Sequence, residues 1–241
     1  MTEVPRQDAD HGGGWPRGSF LGRLSEAALD DLLALGRPRT FEAKDVLIRQ
    51  GDTDRYSLLL LSGFTKVTAT VENGQESLLA IRLSGDIVGE MAAVGDMPRS
   101  ATVTACGRVS SRAVSHEALR AFLLRCPDAA VELTRIVSER LRWANSRRLE
   151  FRGYSVKERL ARILVDLVSA HGRPGRDGMD LEFTLTQPEL AALTGAAEPT
   201  VHKALKELRD ARLISTGYRT TTIRSLDRLR AEARLLPWDT S

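Results

Sequence analysis

Residues 89–103 concentrate polar groups that can hold a small ligand. They read GEMAAVGDMPRSATV, with Glu90 near one end, Arg99 and Ser100 near the other, and small or apolar residues between them. One carboxylate, one guanidinium and a fold of backbone amides therefore lie close together along the chain. What such a set binds depends on the elements that position it, and the rest of the sequence predicts these elements.

Length, charge and cysteine content limit the class of protein. The chain has 241 residues, enough for two ordinary domains or one large one, and its net charge is +3. This mildly basic balance permits a polyanionic partner without requiring one. Cys106 and Cys126 form no metal-binding pattern, no apolar run suits a membrane helix, and the polar N-terminus has no signal-peptide core. We expect a cytoplasmic protein with no disulfide and no membrane partner.

The N-terminal region is predicted to be a flexible tail followed by a short helix. Residues 1–18 contain a glycine run and little apolar surface, which favours a loose tail. A helix is expected after Ser25, whose hydroxyl can cap it. Its inward positions are predicted to be Leu29, Leu32, Leu33 and Leu35.

Turn signals recur about every eleven residues between Asp45 and Val114, with β-type runs between them. The turns are Gln50-Gly51-Asp52, Ser62-Gly63, Asn73-Gly74 and Ser84-Gly85-Asp86. Asn73-Gly74 is the strongest hairpin signal, because both residues tolerate positive φ. The spacing predicts an all-β domain with jelly-roll-like strands.

Helical periodicity begins at Ser115. One short helix is predicted to stop at Pro127, and a longer one to run from about Asp128 to Phe151. Its apolar stripe suits either a partner helix or the β domain, and both interpretations stay open. The stripe consists of Ala130, Leu133, Val137, Leu141 and Ala144. A further helix, VKERLARILVDLVSAHG, is followed by RPGRDG, which we interpret as a loop.

The C-terminal part carries a helix-turn-helix pattern. Thr186 and Glu189 form a capping box, and Gly195 permits a sharp turn before a second helix near Ala197. Thr200, Lys203 and Lys206 would face outward from that helix, while Val201, Leu205 and Leu208 would face inward. The segment LISTGYRTTTI is predicted to form a hairpin wing that pairs with a strand around residues 179–184. Two packed helices that bind no nucleic acid remain the alternative.

In this order, the predicted elements resemble the catabolite-activator/FNR family of bacterial transcription regulators over residues 19–224. The family's phosphate-binding cassette reads Gly-Glu-Leu, a short helical turn, and then Arg-Ser-Ala. Gly89, Glu90, Arg99, Ser100 and Ala101 match it, and Met91 replaces the leucine. The resemblance implies an α+β chain with a cyclic-nucleotide-binding β-roll (19–126), a dimerisation helix (127–152) and a winged helix-turn-helix (153–241). The tail after Ser225 would lie outside the family core.

The resemblance also implies a cyclic nucleotide, with cAMP expected first. Arg99 would form a two-pronged pair with the phosphate, and Ser100 and the amide of Ala101 would donate to it. Glu90 would accept from the ribose hydroxyl and so select a ribonucleotide. Gly89 and Met91 complete the ligand-binding set.

Three positions on the long helix bear on the base of the nucleotide. Arg140 matches an arginine that reaches towards the ligand. The family's base-reading pair falls on Ala144, which cannot form a hydrogen bond through its side chain, and on Asn145, which can. The alternatives are cGMP, cyclic di-GMP, or a regulator that binds DNA without a cyclic mononucleotide.

The second helix departs from the family's DNA-reading pattern, Arg-Glu-x-x-x-Arg. Glu198 and Lys203 stand where the arginines would be, and we expect them to contact a cytosine and a guanine respectively. Candidate contacts to phosphates are Thr186, Gln187 and Thr200, and Lys206 completes the predicted DNA-facing set. The expected partners are a pseudo-palindromic double-stranded DNA, a second copy of the chain and RNA polymerase, with activation of transcription as the outcome.

Other classes of function are less compatible with the sequence. The histidines, His11, His116, His171 and His202, lie outside the strand region, so a metal-dependent enzyme on a β-roll lacks its ligands. The N-terminus has no cysteine for an iron–sulfur cluster, and no histidine stands where a haem would need one. A winged helix that docks protein instead of DNA remains a rival, which salt dependence of DNA binding would test. We expect no enzyme activity, metal, haem or iron–sulfur cluster.

Overall fold

The computed structural model describes residues 15–70, 72, 74, 76–95, 97–181, 185–217 and 220–235. Contacts divide the chain into two compact units, Met1–Glu139 and Arg140–Ser241. The boundary falls inside one long helix, so that helix contributes residues to both units. Among the described residues, no helix is both long and apolar enough to cross a membrane.

In the part that the structure describes, the first unit contains eight strands and five helices, the last of which continues into the second unit. The strands are β1 (Arg37–Phe41), β2 (Val46–Ile48), β3 (Tyr56–Ser62), β4 (Phe64–Thr70), β5 (Glu76–Leu83), β6 (Ile87–Val88), β7 (Thr102–Ala105) and β8 (Val109–Ser115). The helices are α1 (Phe20–Arg23), α2 (Glu26–Leu35), α3 (Glu90–Gly95), α4 (His116–Arg125) and α5 (Pro127–Gly153).

The strands form two antiparallel four-stranded sheets, in the orders β1-β8-β3-β6 and β2-β7-β4-β5. This confirms the prediction of a jelly-roll-like β domain, which also includes β1, upstream of the predicted start. Asn73, in the predicted hairpin turn, lies outside the described residues, while the strands on either side of it, β4 and β5, pair in an antiparallel register.

Strand β3 is buried on both faces, which explains its continuous apolar run. Leu58 and Leu60 belong to a core cluster with residues of the opposite sheet such as Val103. Leu59 points the other way, into a second cluster that also contains Phe20 and Phe122 from the helices. The β3 strand therefore lies between two apolar cores.

One residue of the predicted tail packs against the β domain. Trp15, inside the predicted tail, contacts the second cluster and donates from Nε1 to the carbonyl of Leu61 at 3.1 Å. Ser25 caps α2 as predicted, accepting from the amide of Ala28. Leu32 is fully buried, whereas Leu35 remains 36% exposed, so the prediction of an inward Leu35 is wrong because the helix ends there beside Gly36.

The apolar stripe of α5 packs on the β domain in its first part and is exposed in its later part. Leu133 is buried in the second cluster together with Ala129 and Ile136, so the first turns of the helix pack on the β domain. Leu141 is 61% exposed and Ala144 is exposed as well. The later part of the stripe is therefore an uncovered apolar face in the single chain.

The second unit is a winged helix. Besides the end of α5 it contains α6 (Val156–His171), β9 (Arg173–Gly175), β10 (Gly178–Leu181), α7 (Gln187–Thr194), α8 (Glu198–Asp210), β11 (Ile214–Gly217), β12 (Thr220–Ile223) and α9 (Leu226–Glu232). Its sheet has the order β11-β12-β10-β9.

Two local predictions for this unit meet different outcomes. The loop prediction for RPGRDG is wrong, because Arg173–Gly175 pairs with β10 and leaves only a tight turn at residues 176–177. The predicted wing is confirmed where it is described, since β11 pairs with β12 and β12 pairs with Met179, Asp180 and Leu181. Residues 182–184, 218 and 219 lie outside the described part.

Candidate functional site

Gly89 shapes the start of the predicted cassette, residues 89–101, which joins β6 to β7. Its φ of +82° lies in the region that favours glycine. A Cβ at this position would also lie 2.7 Å from Nη1 of Arg99 and 2.8 Å from Cδ1 of Ile48. The first glycine of the motif is therefore required by both backbone conformation and space.

Arg99 reaches back across the cassette and is buried, with 4% of its surface exposed. Its Nη1 donates to the carbonyl of Gly89 at 2.9 Å, and its Nη2 donates to the carbonyl of Tyr56. The guanidinium also lies over the Tyr56 ring, 5.2 Å from the centroid. Backbone bonds between Arg99 and the Gly51-Asp52 turn hold the residue in place.

The charge of Arg99 is incompletely compensated. The two carbonyls are neutral, and among the described residues the guanidinium has no carboxylate within ion-pair distance and its buried Nε has no hydrogen-bond partner. Burial lowers the pKa of Arg99, against the opposing charges of Tyr56, Asp54, Asp52 and Glu90. An anion beside this group would supply both a counter-charge and an acceptor for Nε.

The other cassette residues differ in exposure. Glu90 opens α3 and is buried, 5% exposed, near enough to Arg99 to interact with its charge. Met91 and Ser100 are exposed, and Ala101 is partly buried. The structure thus brings Gly89, Glu90 and Arg99 together, while the donor role of Ser100 stays a prediction.

Sequence reasoning missed two residues beside Arg99. Tyr56 supplies a carbonyl and a ring, and its hydroxyl donates to the carbonyl of Leu47 at 2.9 Å. His116 is buried with Nε2 unpartnered among the described residues. Burial lowers the pKa of His116, as do the charges of nearby arginines, against a hydrogen bond to the Tyr56 backbone. No spacing in the sequence links Tyr56 to an arginine 43 residues later.

The predicted ligand contacts on α5 belong to the second unit. Arg140 is partly buried, whereas Ala144 and Asn145 are exposed. Their role at the base of a nucleotide stays a prediction.

The helix-turn-helix forms as the sequence predicts. Thr186 accepts from the amide of Glu189 and the Glu189 carboxylate accepts from the amide of Thr186, which completes the capping box. Gly195 ends α7 with φ +60° and ψ +38°. The predicted inward residues are buried: Leu190, Ala191, Leu193, Val201, Leu205 and Leu208.

The predicted DNA-facing residues are all exposed: Thr186, Gln187, Glu198, Thr200, Lys203 and Lys206. One neighbour was missed. Nε2 of Gln187 lies 3.1 Å from Nδ1 of His202, an exposed residue of α8. His202 is four residues from both Glu198 and Lys206, the spacing of a single helix face, and this periodicity could have identified it.

Metal ligation has no candidate in the described part of the chain, where no three His, Cys, Asp or Glu side chains are grouped to hold an ion.

Two family models match the chain. The cyclic nucleotide-binding domain matches residues 38–126, and the Crp-like helix-turn-helix domain matches residues 158–232. Together they match more than half of the chain, in the order that the fold shows. The β-roll and the winged helix thus define a DNA-binding transcription regulator with a cyclic nucleotide-binding domain, and not an enzyme. The chain belongs to the family of the cAMP receptor protein and FNR.

Individual relatives agree with this assignment. A CRP-like cAMP-activated global transcriptional regulator of Mycobacterium tuberculosis is 27% identical over 90% of this chain and 96% of its own. The cyclic AMP receptor protein of Thermus thermophilus is 28% identical over 83% of this chain and 90% of its own. A solved CRP/FNR-family regulator of the same species has 25% identity and a TM-score of 0.65, with 82% of this chain and 98% of that chain covered.

The match to the helix-turn-helix model corrects one expectation. It extends to residue 232 and so includes α9, which was expected to lie outside the family core. Leu229 of α9 is fully buried, and Lys157 of α6 pairs with Glu232 at 2.7 Å. The helix is therefore part of the winged-helix domain.

Proposed function

We propose that this protein is a homodimeric transcription regulator that cAMP controls by binding in the β-roll. The observation that supports an anionic effector is the buried Arg99 guanidinium, which donates to two neutral carbonyls and whose Nε has no acceptor among the described residues. A cyclic phosphodiester is an anion of the right chemistry for this group, because it brings one negative charge and several acceptor oxygens.

Glu90 supports a ribonucleotide rather than a simple anion. Its carboxylate is buried beside Arg99, where it would repel a phosphate and instead accept from a ribose hydroxyl. The names of the two relatives, one cAMP-activated and the other a cyclic AMP receptor, favour cAMP among the cyclic nucleotides. Asn145 is the candidate for reading the base. cGMP and cyclic di-GMP are the competing effectors.

Dimerisation is proposed through the uncovered face of α5, which includes Leu141. Two copies of α8 would then enter successive major grooves about 34 Å apart, on a pseudo-palindromic site. RNA polymerase is the proposed partner at the promoter, and activation the proposed outcome. An effector changes DNA affinity only to the extent that it binds one arrangement of the dimer more tightly than the other.

Titration calorimetry with cAMP, cGMP and cyclic di-GMP tests the effector. Wild-type protein should bind cAMP, and Arg99→Ala should weaken that binding by roughly tenfold to a hundredfold or more, since two charge-assisted hydrogen bonds are lost. Arg99→Lys keeps the charge without the planar guanidinium, so its affinity for cAMP should lie between those of wild type and Arg99→Ala. Arg108→Ala, which removes an exposed arginine of the same unit, is the matched control and should bind like wild type.

The outcomes separate the alternatives. Binding of cGMP or cyclic di-GMP in place of cAMP, with the same dependence on Arg99, would support the proposed binding site but contradict cAMP as the effector. Equal cAMP binding by wild type and a folded Arg99→Ala protein would contradict the cassette assignment. Near-ultraviolet circular dichroism of each variant verifies folding, because removal of a buried side chain also leaves a cavity.

DNA reading by Lys203 is a second prediction. Lys203 is exposed on α8, in the half of the helix that enters the groove. Lys203→Ala should reduce the preference for one base by about 1–3 kcal/mol, measured by competition among operator variants that differ at single positions. A uniform loss at every sequence, with a smaller salt slope, would instead assign Lys203 to a phosphate. Lys66→Ala, on β4 of the other unit, is the control.

A further inference from the structure

A cluster of buried polar groups lies in the second unit, where α5, α6 and α7 meet. We name it the Arg147 cluster: Trp143 and Arg147 from α5, Asp166 from α6, and the carbonyl of Leu193 from α7. None of these residues belongs to the predicted ligand or DNA contacts. Arg147 is 8% exposed, so its charge is held away from water.

Arg147 caps the first helix of the helix-turn-helix. Its Nη1 donates to the carbonyl of Leu193, in the last turn of α7, at 3.1 Å. The preceding carbonyls are satisfied locally: Gly195 donates to Ala191 and Ala192, and the Thr194 hydroxyl donates to Leu190 and Ala191. Leu193 obtains its donor from another helix instead. A cation at this end also interacts favourably with the helix dipole.

The position of Arg147 is fixed by its neighbours on two helices. The guanidinium lies over the Trp143 ring, 4.5 Å from the centroid, and Trp143 Nε1 donates to Oδ2 of Asp166 at 3.0 Å. The charges of Asp166 and Glu150 attract Arg147, and that of Arg162 repels it. Arg162 in turn pairs with Glu150 at 3.3 Å.

The Arg147 cluster links the C-terminal part of α5 to the end of α7, the first helix of the helix-turn-helix. Helix α5 is continuous from Pro127 to Gly153, and its side chains Ala129, Leu133 and Ile136 pack in the first unit. The Leu193 carbonyl lies two residues before Gly195, whose left-handed conformation sets the turn into α8. A rotation or shift of α5 would move the Arg147 donor relative to α7 and so change the angle at which α8 is presented.

We propose that Arg147 is a positioning residue that couples the state of α5 to the orientation of the helix-turn-helix. The proposal rests on the proposed control of DNA binding by cAMP and names the contact through which that control reaches α8. Arg147 contacts neither ligand nor DNA in this mechanism. Its loss should therefore change the ratio of DNA affinities with and without effector while leaving effector affinity itself nearly unchanged.

The test compares Arg147→Met, Arg147→Lys and the control Arg135→Met, an exposed arginine of the same helix. For each protein, calorimetry gives the Kd for cAMP, and fluorescence anisotropy gives the Kd for operator DNA with and without saturating cAMP. We expect Arg147→Met to bind cAMP within about twofold of wild type and to lower the DNA affinity ratio at least about fivefold, a typical size for such coupling. Arg147→Lys, which keeps the charge but cannot stack or fork, should give an intermediate ratio, and Arg135→Met an unchanged one.

A merely structural role gives a different result. If Arg147→Met weakens DNA binding equally in both states, so that the ratio is unchanged, the proposal is overturned. If wild-type protein itself shows a ratio of one or binds no cAMP, it is the proposed function that fails, not this contact.

A measurement without effector or DNA tests the contact directly. Hydrogen exchange of the peptide that covers residues 190–197 should be at least about threefold faster in Arg147→Met, because the α7 cap is lost, and unchanged in Arg135→Met. Unchanged exchange in a folded Arg147→Met protein would also overturn the proposal.

Discussion

At the scale of single residues, each unit contains a buried ionisable group whose surroundings set its behaviour. Arg99 donates to two neutral carbonyls, and its buried Nε has no hydrogen-bond partner among the described residues. The positive charge of Arg147 and a hydrogen bond from Trp143 both lower the pKa of Asp166. Burial has the larger effect and raises this pKa from 3.8 to about 6. The first group is therefore a candidate for binding, and the second for proton linkage.

The raised pKa of Asp166 predicts a specific pH dependence of stability. Because the folded protein binds this proton more tightly than the unfolded chain, the contribution of Asp166 is most favourable below about pH 4 and is lost as pH rises to about 6. Asp166→Asn should remove this dependence. Relative to wild type, the variant should gain on the order of 1 kcal/mol of unfolding free energy between about pH 5 and about pH 7.5.

Urea unfolding at both pH values measures this gain. The control is Asp30→Asn, which removes an exposed carboxylate of α2 and should give the same difference from wild type at each pH. A difference between Asp166→Asn and wild type that does not vary with pH would mean that Asp166 does not titrate in this range.

At the scale of elements, the turn between α7 and α8 depends on the conformation of a single glycine. Gly195 adopts φ +60°, where a Cβ crowds the following carbonyl. Gly195→Ala should lower the unfolding free energy by about 1–2 kcal/mol, and Gly195→Asn by less, since asparagine tolerates this region. Gly153→Ala is the control, because Gly153 ends α5 with φ outside the left-handed range and open space around its Cβ position. It should be neutral or slightly stabilising in the same urea titration; equal losses at both positions would contradict the role of the left-handed turn.

Elements with local signals were predictable from the sequence. The capping box at Thr186, the cap at Ser25 and the turn at Gly195 each depend on residues within four positions, and all three formed as predicted. The cassette was predictable as a motif, since Gly89, Glu90 and Arg99 are close along the chain. Short β9 was missed, because RPG has no alternating pattern and gains its strand from pairing with β10.

Features that depend on tertiary contacts were not predictable. Tyr56 meets Arg99 because β3 lies beside β6, which leads into the cassette. Arg147 was one of several charged residues on a helix, and its role is visible only because α7 ends beside it. A charge pattern along one helix does not tell which arginine is buried, since that depends on the elements that pack against it.

At the scale of the whole molecule, the uncovered part of α5 is the surface through which we propose that two copies associate. Leu141 exposes 61% of its surface on a helix whose earlier residues Ala129, Leu133 and Ile136 are buried. Covering this face with the same helix of a second copy would bury both leucines and place two winged helices on one DNA site. Burial of this apolar face therefore favours the proposed dimer.

Leu141→Asp tests this assembly. The substitution removes the leucine that each copy would bury and brings two negative charges together at the helix pair. We therefore expect the dimer dissociation constant to rise at least about tenfold. Sedimentation equilibrium at several concentrations measures it. Leu124→Asp is the matched control, because Leu124 on α4 is even more exposed, at 83%, and lies off the proposed interface.

If both variants sediment like a dimeric wild type, the dimer must use another surface, and the half-site spacing expected from α5 pairing loses its basis. If only Leu141→Asp dissociates, its affinity for a full pseudo-palindrome should approach that for a single half-site, because the second recognition helix is no longer tethered to the first.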